Sequence, residues 1–218
     1  MSSINANRHP AILHYIHDPM CSWCWAFRPA WQALKQALPQ DIVVHHSLGG
    51  LAPDSSEPMP LALQQKLQSI WHNIQKTVPT TDFNFDFWQS CQPRRSTYPA
   101  CRAVIAARMQ GVEYEEPMIL AIQQAYYLQA RNPSDDCTLI ALANHIGLNT
   151  NDFEANLNDP DTQKQLNQEI GFNQSIQATS FPSLVLEYEG IFHSIRIDYT
   201  HADSMLQSIL KVSHSPAL

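Results

Sequence analysis

The sequence is short of charge. Asp, Glu, Lys and Arg make up 15% of its 218 residues, against about 25% in ordinary soluble domains. Cations are the scarcer sign: 13 Lys and Arg against 20 Asp and Glu leave a net charge of −7. A phosphate-binding surface needs Lys and Arg to neutralise the backbone, so nucleic acid is excluded as the expected partner. No apolar run approaches the ~20 residues of a membrane-spanning helix. Residues 1–10 are polar and lack the apolar core of a secretory leader. Five cysteines, an odd number at uneven spacing, make no secreted disulfide framework. No internal repeat or low-complexity block appears. These absences predict a soluble cytoplasmic protein with no membrane partner. The hydrophobic share of 44% is ample for a packed core.

What is present falls into three stretches. Residues 11–17 (AILHYIH) and 41–48 (DIVVHHSL) read as strands, and residues 21–38 between them carry helical spacing ended by Pro39. Strand, helix and strand in this length make a βαβ unit. Residues 58–177 read as helices throughout: 60–76, 99–109 with Gly111 as C-cap, 116–130, 134–146 with Ser134 as N-cap, a capping box from Asn151 to Glu154, and 161–176. Strand character returns at 183–188 and 191–197, joined by Glu189-Gly190, a hairpin signal. Residues 201–212 close the chain with a helix.

Chemistry centres on Cys21-Ser22-Trp23-Cys24, which follows the first strand and opens the first helix. At a helix N-terminus, unpaired N–H groups and the dipole stabilise a thiolate, so Cys21 is the expected nucleophile. Cys24, one turn on, can reach the first sulfur, close a disulfide and expel a partner. Structural zinc would need four ligands. No second CxxC is present, and the adjacent His45 and His46 chelate poorly from one strand, so no metal is expected. Two chance core cysteines are the plain alternative. A CxxC beside a βαβ pattern points instead to redox chemistry.

The segment Asp18-Pro19-Met20-Cys21-Ser22-Trp23-Cys24-Trp25 resembles the active-site stretch of DsbA-like thioredoxin-fold oxidoreductases, nearest the cytoplasmic FrnE-like branch related to 2-hydroxychromene-2-carboxylate isomerases. Pro29, inside the helix, and Thr179-Ser180-Phe181-Pro182, before a strand, match that pattern. So does the helical stretch between the second and third strands. The resemblance implies an α/β thioredoxin-like fold from residues 1–57 and 178–218, with residues 58–177 as an inserted helical domain. It implies a cis bond before Pro182, facing the cysteines, with Phe181 offering its backbone to an extended substrate segment. It implies thiol–disulfide exchange with a protein or small-molecule thiol, with no cofactor beyond the redox-active disulfide itself and glutathione as a candidate co-substrate. Ser22-Trp23 carries no cation, which favours a more reducing couple. Relatives of the kappa-class transferase and hydroxychromene-carboxylate isomerase kind share this fold and place serine first. Glutathione-dependent transfer or isomerisation is therefore the alternative activity, and a non-catalytic binding module a third.

Lesser candidates complete the set. Asp18 is a candidate for proton transfer at Cys24, or a turn residue before proline. Trp23 is the expected substrate contact, and Trp25 a core residue. Cys91, Cys101 and Cys137 read as small buried hydrophobes, with a Cys91–Cys101 disulfide as the alternative. Arg94-Arg95 beside Tyr98 is either a solvated pair or an anion seat for a glutathione carboxylate. His14 and His17, three apart on a strand, point to opposite faces.

Overall fold

The computed structural model describes residues 11–213. The expectation for the N-terminal ten residues lies outside that range. Among the described residues, β1 (Ala11–His17), α1 (Ser22–Ala37) and β2 (Ile42–Leu48) form the opening unit. Helices α2 (Leu61–Thr77), α3 (Phe87–Ser90), α4 (Tyr98–Gln110), α5 (Glu115–Tyr127), α6 (Asp136–His145), α7 (Thr150–Leu157) and α8 (Pro160–Ser175) follow. Strands β3 (Ser183–Tyr188) and β4 (Ile191–Ile195) and helix α9 (Ala202–Ser213) complete the order.

The four strands make one mixed sheet, ordered β2-β1-β3-β4. β1 runs parallel to β2 and antiparallel to β3, and β4 is antiparallel to β3. A strand covered on both faces needs a near-continuous apolar run, and β1 is buried along almost its whole length. Phe27, Trp31 and Leu34 of α1, with Met205 and Ile209 of α9, cover one face over Leu13, Tyr15, Leu184 and Leu186. α8 covers the other, with Phe172 against His14 at 5.0 Å. A larger core runs through the helices between β2 and β3 and reaches Met20, Ala26 and Leu48. In the β3–β4 hairpin Glu189 and Gly190 both hold positive φ (52° and 76°), the conformation that a two-residue turn with matching twist demands.

Several helix ends differ from the sequence reading, each for a local reason. α6 starts after Asp135, because Ser134 instead donates its hydroxyl to the Ser96 carbonyl at 2.7 Å. α7 is capped by Asn149, whose Oδ1 accepts from the backbone of Asn151 and Asp152, not by Asn151. Gly111 caps the C-terminus of α4, as the sequence indicates, in extended backbone with φ 161°. α5 stops at Tyr127, and Ala130 turns at φ 51°. β4 ends at Ile195, which pairs with Leu184. Beyond it β3 runs out at Ser183, where Pro182 has no N–H to offer. The short α3 carries no periodic signal and exists to bury Phe87 and Trp88.

Candidate active site

The site is assembled where β1, α1 and the start of β3 converge. After β1 the chain makes a tight turn, closed by the Cys21 N–H donating to the Asp18 carbonyl at 3.0 Å. Cys21 is the N-cap of α1, in extended backbone, and its carbonyl accepts the first helical bond from Trp25. Cys21 is 7% exposed and Cys24, one turn inside, is fully buried. Burial, reinforced by the neighbouring Cys21, pushes the Cys24 thiol well above the usual range. Pro29 lies inside the same helix.

Phe181 and Pro182 meet this helix end from the far side of the sheet. Their peptide bond is cis. The Cys21 thiol donates to the Phe181 carbonyl at 3.4 Å. The half-buried Phe181 ring lies over Gly49, where a Cβ would come within 2.3 Å of the ring. Gly49 is itself fixed by its N–H to the His17 carbonyl at 2.6 Å.

Trp23 is half-buried and packs against Tyr199 with ring centroids 5.0 Å apart. Tyr199 also lines an open groove of about 540 Å³ with Thr77, Arg196, Asp198 and Ser204. Trp25, expected in the core, is only partly covered: it stacks on Tyr127 at 5.8 Å and donates to the Asp82 carbonyl at 3.0 Å.

Asp18 is fully buried and its carboxylate is heavily engaged. Oδ1 accepts from the Met20 N–H at 2.8 Å, and Oδ2 from the Leu51 N–H and the Thr97 hydroxyl, each at 2.7 Å. The Cys101 thiol adds a weaker contact at 3.5 Å. Burial still dominates and raises the Asp18 pKa. These four donors match the turn reading of Asp18, and its charge lies close enough to help push Cys24 up.

The lesser candidates separate. Cys101 is buried as expected, but Cys91 is half-buried and Cys137 exposed. Cys91 donates to the Ala130 carbonyl while Cys101 points to Asp18, so the two thiols are not brought together. Arg94 is half-buried and not a free pair with Arg95: its Nη2 binds the Ser134 carbonyl and Asp135 and so pins the start of α6. His14 and His17 do face opposite sides: His14 contacts Phe172 on the α8 face and His17 stacks on Tyr15 on the α1 face.

Sequence reading missed Gly49, Thr97, Tyr199 and His46. Only Tyr199 had a usable signal, an aromatic just ahead of the last helix. His46 meets Tyr15 because parallel pairing sets them side by side.

The family model for the DSBA-like thioredoxin domain matches residues 13–203. The chain belongs to the DsbA-like thioredoxin family. A Nitrosomonas europaea structure described as a candidate protein disulfide isomerase superposes on this DsbA-like chain with a TM-score of 0.81 at 24% identity, covering 95% of this chain and 100% of that one. The cytosolic disulfide reductase DsbM from Pseudomonas aeruginosa gives 0.73 at 22%, covering 92% and 99%. Both likenesses bear on the fold. The ClpXP adapter protein SpxH of Halalkalibacterium halodurans is 22% identical over 82% of this chain, and the match spans only 59% of that relative's length. Among the described residues of this DsbA-like chain, no helix is long and apolar enough to cross a membrane.

Proposed function

We propose that the protein is a thiol–disulfide oxidoreductase in which Cys21 attacks and Cys24 resolves. The observation that carries this reading is the Cys21 thiol at the N-terminus of α1, 3.4 Å from the Phe181 carbonyl. That contact puts the outer sulfur beside an unpaired strand end to which an extended substrate segment can add. Pro182 offers no donor there, so Phe181 supplies the backbone hydrogen bonds, and Trp23 forms the apolar rim. The Cys21 thiolate attacks one sulfur of a client disulfide and the other sulfur leaves as a thiolate. Cys24 then attacks Cys21, releasing the second client thiol and leaving the Cys21–Cys24 disulfide.

Ser22-Trp23 supplies no cation, so the couple runs in the reducing direction, with glutathione as the thiol that restores the dithiol. A DsbM structure with GSH supports glutathione as the co-substrate, and the cytosolic DsbM supports a cytoplasmic site of action. Residues 58–177 act as an inserted domain that covers the site and selects clients, while residues 1–57 and 178–218 carry the chemistry. Asp18 positions the active-site turn through its backbone partners.

Glutathione-coupled insulin reduction tests the reading. Cys21→Ser abolishes turnover, and Cys24→Ser accumulates a mixed disulfide with the client. Retained turnover in Cys21→Ser refutes the redox reading. The adapter name of the curated relatives supports a second reading, a binding module. In that case partner binding survives in Cys21→Ser.

A further inference from the structure

The topology sets a third loop beside the cysteines. β1 ends at His17, β3 begins at Ser183 and β4 ends at Ile195, and the register pairs Ile16 with Ser183 and Leu184 with Ile195. The turn to Cys21, the Phe181-Pro182 loop and the segment from Arg196 to Thr200 therefore leave the sheet at the same end. Arg196 and Ser183 are each one residue past the Leu184–Ile195 pair. Strand rise and spacing put Arg196 within about 10 Å of Phe181, the length of about three extended residues.

That segment walls the groove of about 540 Å³, together with Thr77 at the end of α2 and Ser204 and Ser208 of α9. Tyr199 joins the groove to the dithiol through its contact with Trp23. Most polar groups in the wall are already engaged. The Thr77 hydroxyl donates to the Asn73 carbonyl and the Ser208 hydroxyl to the Ser204 carbonyl, each at 2.9 Å. The Ser204 hydroxyl is shared between the His201 carbonyl and Asp198, at 2.9 and 3.0 Å. Asp198 also accepts from the backbone of Thr200 and His201, each at 2.9 Å, so its carboxylate is held by the turn into α9.

Arg196 differs. It is exposed, and among the described residues it makes no hydrogen bond or ion pair. The chain as a whole carries a net charge of −7 and repels an acidic client. An unengaged guanidinium in the groove reverses that at one point, close to the reacting sulfur.

We propose that this groove receives the client segment next to the reacting cysteine and that Arg196 selects an acidic side chain on it. The proposal deepens the thiol–disulfide reading and rests on it. A client strand added at Phe181 runs on past Trp23 and Tyr199 into the groove. A Glu or Asp about two to four residues from the client cysteine then meets the guanidinium, whose fork of donors matches a carboxylate. Arg196 touches no reacting atom. It governs which client docks, while Cys21 and Cys24 are oxidised to their disulfide and the client disulfide is reduced to two thiols.

The test is single-turnover reduction of disulfide-linked peptide dimers by the reduced protein, in a Cys91→Ser, Cys137→Ser background and without glutathione. Each peptide carries one cysteine, with Glu or Gln two, three or four residues before or after it. The rate constants give a Glu-to-Gln ratio at each position within each protein, so a general loss of activity cancels. The wild type should prefer Glu about two- to fivefold at one or more positions, the range of an exposed ion pair, and the preference should fade at high salt. Arg196→Gln should bring the ratio to about one, Arg196→Lys should keep most of it, and Arg196→Glu should reverse it. Lys164→Gln removes an exposed cation on α8 and should leave the ratio unchanged.

A wild-type ratio near one at every position overturns the proposal. So does a ratio that survives in Arg196→Gln, or one that falls equally in Lys164→Gln, which overall charge would give. Slower reduction of oxidised glutathione by Arg196→Gln, with the peptide ratio intact, overturns it too, because the cation would then serve glutathione. Failure of the underlying reading looks different: the wild type then reduces no peptide, or Cys21→Ser keeps its rate.

Discussion

Replacing Asp18 by alanine should cost the fold much of its stability, and the cost can be read from its partners. The carboxylate is the acceptor for two backbone N–H groups, Met20 at 2.8 Å and Leu51 at 2.7 Å, and for the Thr97 hydroxyl at 2.7 Å. The hydroxyl has an escape, since the Ala52 carbonyl lies 3.4 Å away. The two amides have none. A buried donor left unpaired costs roughly 1–3 kcal/mol, so Asp18→Ala should lose ~2–6 kcal/mol, a large part of the ~5–15 kcal/mol that holds a domain together.

Asparagine keeps one acceptor oxygen, but in either orientation its amide nitrogen faces a backbone N–H. Its cost should be about half as great, ~1–3 kcal/mol. The acid also leaves a pH signature. Burial raises the Asp18 pKa above its unfolded value of 3.8, so the folded state holds the proton more tightly. The stability this group contributes is complete below the unfolded pKa and is lost as pH rises through the folded one. The gap between wild type and Asp18→Asn should therefore narrow as pH rises. Urea unfolding followed by tryptophan fluorescence measures both effects. A cost below about 1 kcal/mol for Asp18→Ala would refute the accounting.

Other substitutions probe the remaining parts of the site. Gly49→Ala drives a methyl group into the Phe181 ring, so it should displace the loop that faces Cys21 and lower insulin reduction several-fold, at a folding cost of about 1–3 kcal/mol; full activity with unchanged stability contradicts the packing. Acid should weaken the fold through the histidines. Burial holds the His17 pKa well below its usual value, and that of His46 at about 4. Both groups contribute stability above the unfolded pKa of about 6.5 that is lost as pH falls, for His46 down to about 4. The urea midpoint of the wild type should drop over that range more steeply than that of His46→Gln, and parallel curves would contradict the assignment.

The parts legible in the sequence are those whose signal is local. Ala11–His17 and Ser183–Tyr188 are strands because short, mostly apolar runs sit between turn residues, and both occur with the expected bounds. The cysteines open α1 because the apolar spacing begins there. The hairpin at Glu189-Gly190 needs two positive φ values, and those residue types tolerate them. The illegible parts depend on distant partners. Ser134 has the chemistry of an N-cap, but the Ser96 carbonyl claims its hydroxyl. Arg94 looks free in the sequence because Asp135 is far along the chain. Asp18 is ambiguous beside a cysteine pair until Leu51 and Thr97 arrive to occupy it. His46 has no periodic or motif signal; only the β1–β2 register sets it next to Tyr15, behind Cys24.

The helices between β2 and β3 are tied to both ends of the cysteine pair. Asp18 ties the turn before Cys21 to Thr97 and Cys101, at the head of α4. On the inner side, His46 lies against Glu115 and Glu116 at the head of α5, and Arg108 links Glu115 to Glu169 of α8, whose other oxygen accepts from the Leu48 N–H at 2.7 Å. Both ends of the cysteine pair are thus fastened to the same helical unit, by a buried carboxylate at one end and a charged network at the other. A client that shifts those helices on docking would move the turn that presents Cys21 and the cavity wall behind Cys24 together. On the proposed oxidoreductase reading, the helices would then be mechanically joined to the step that releases the client.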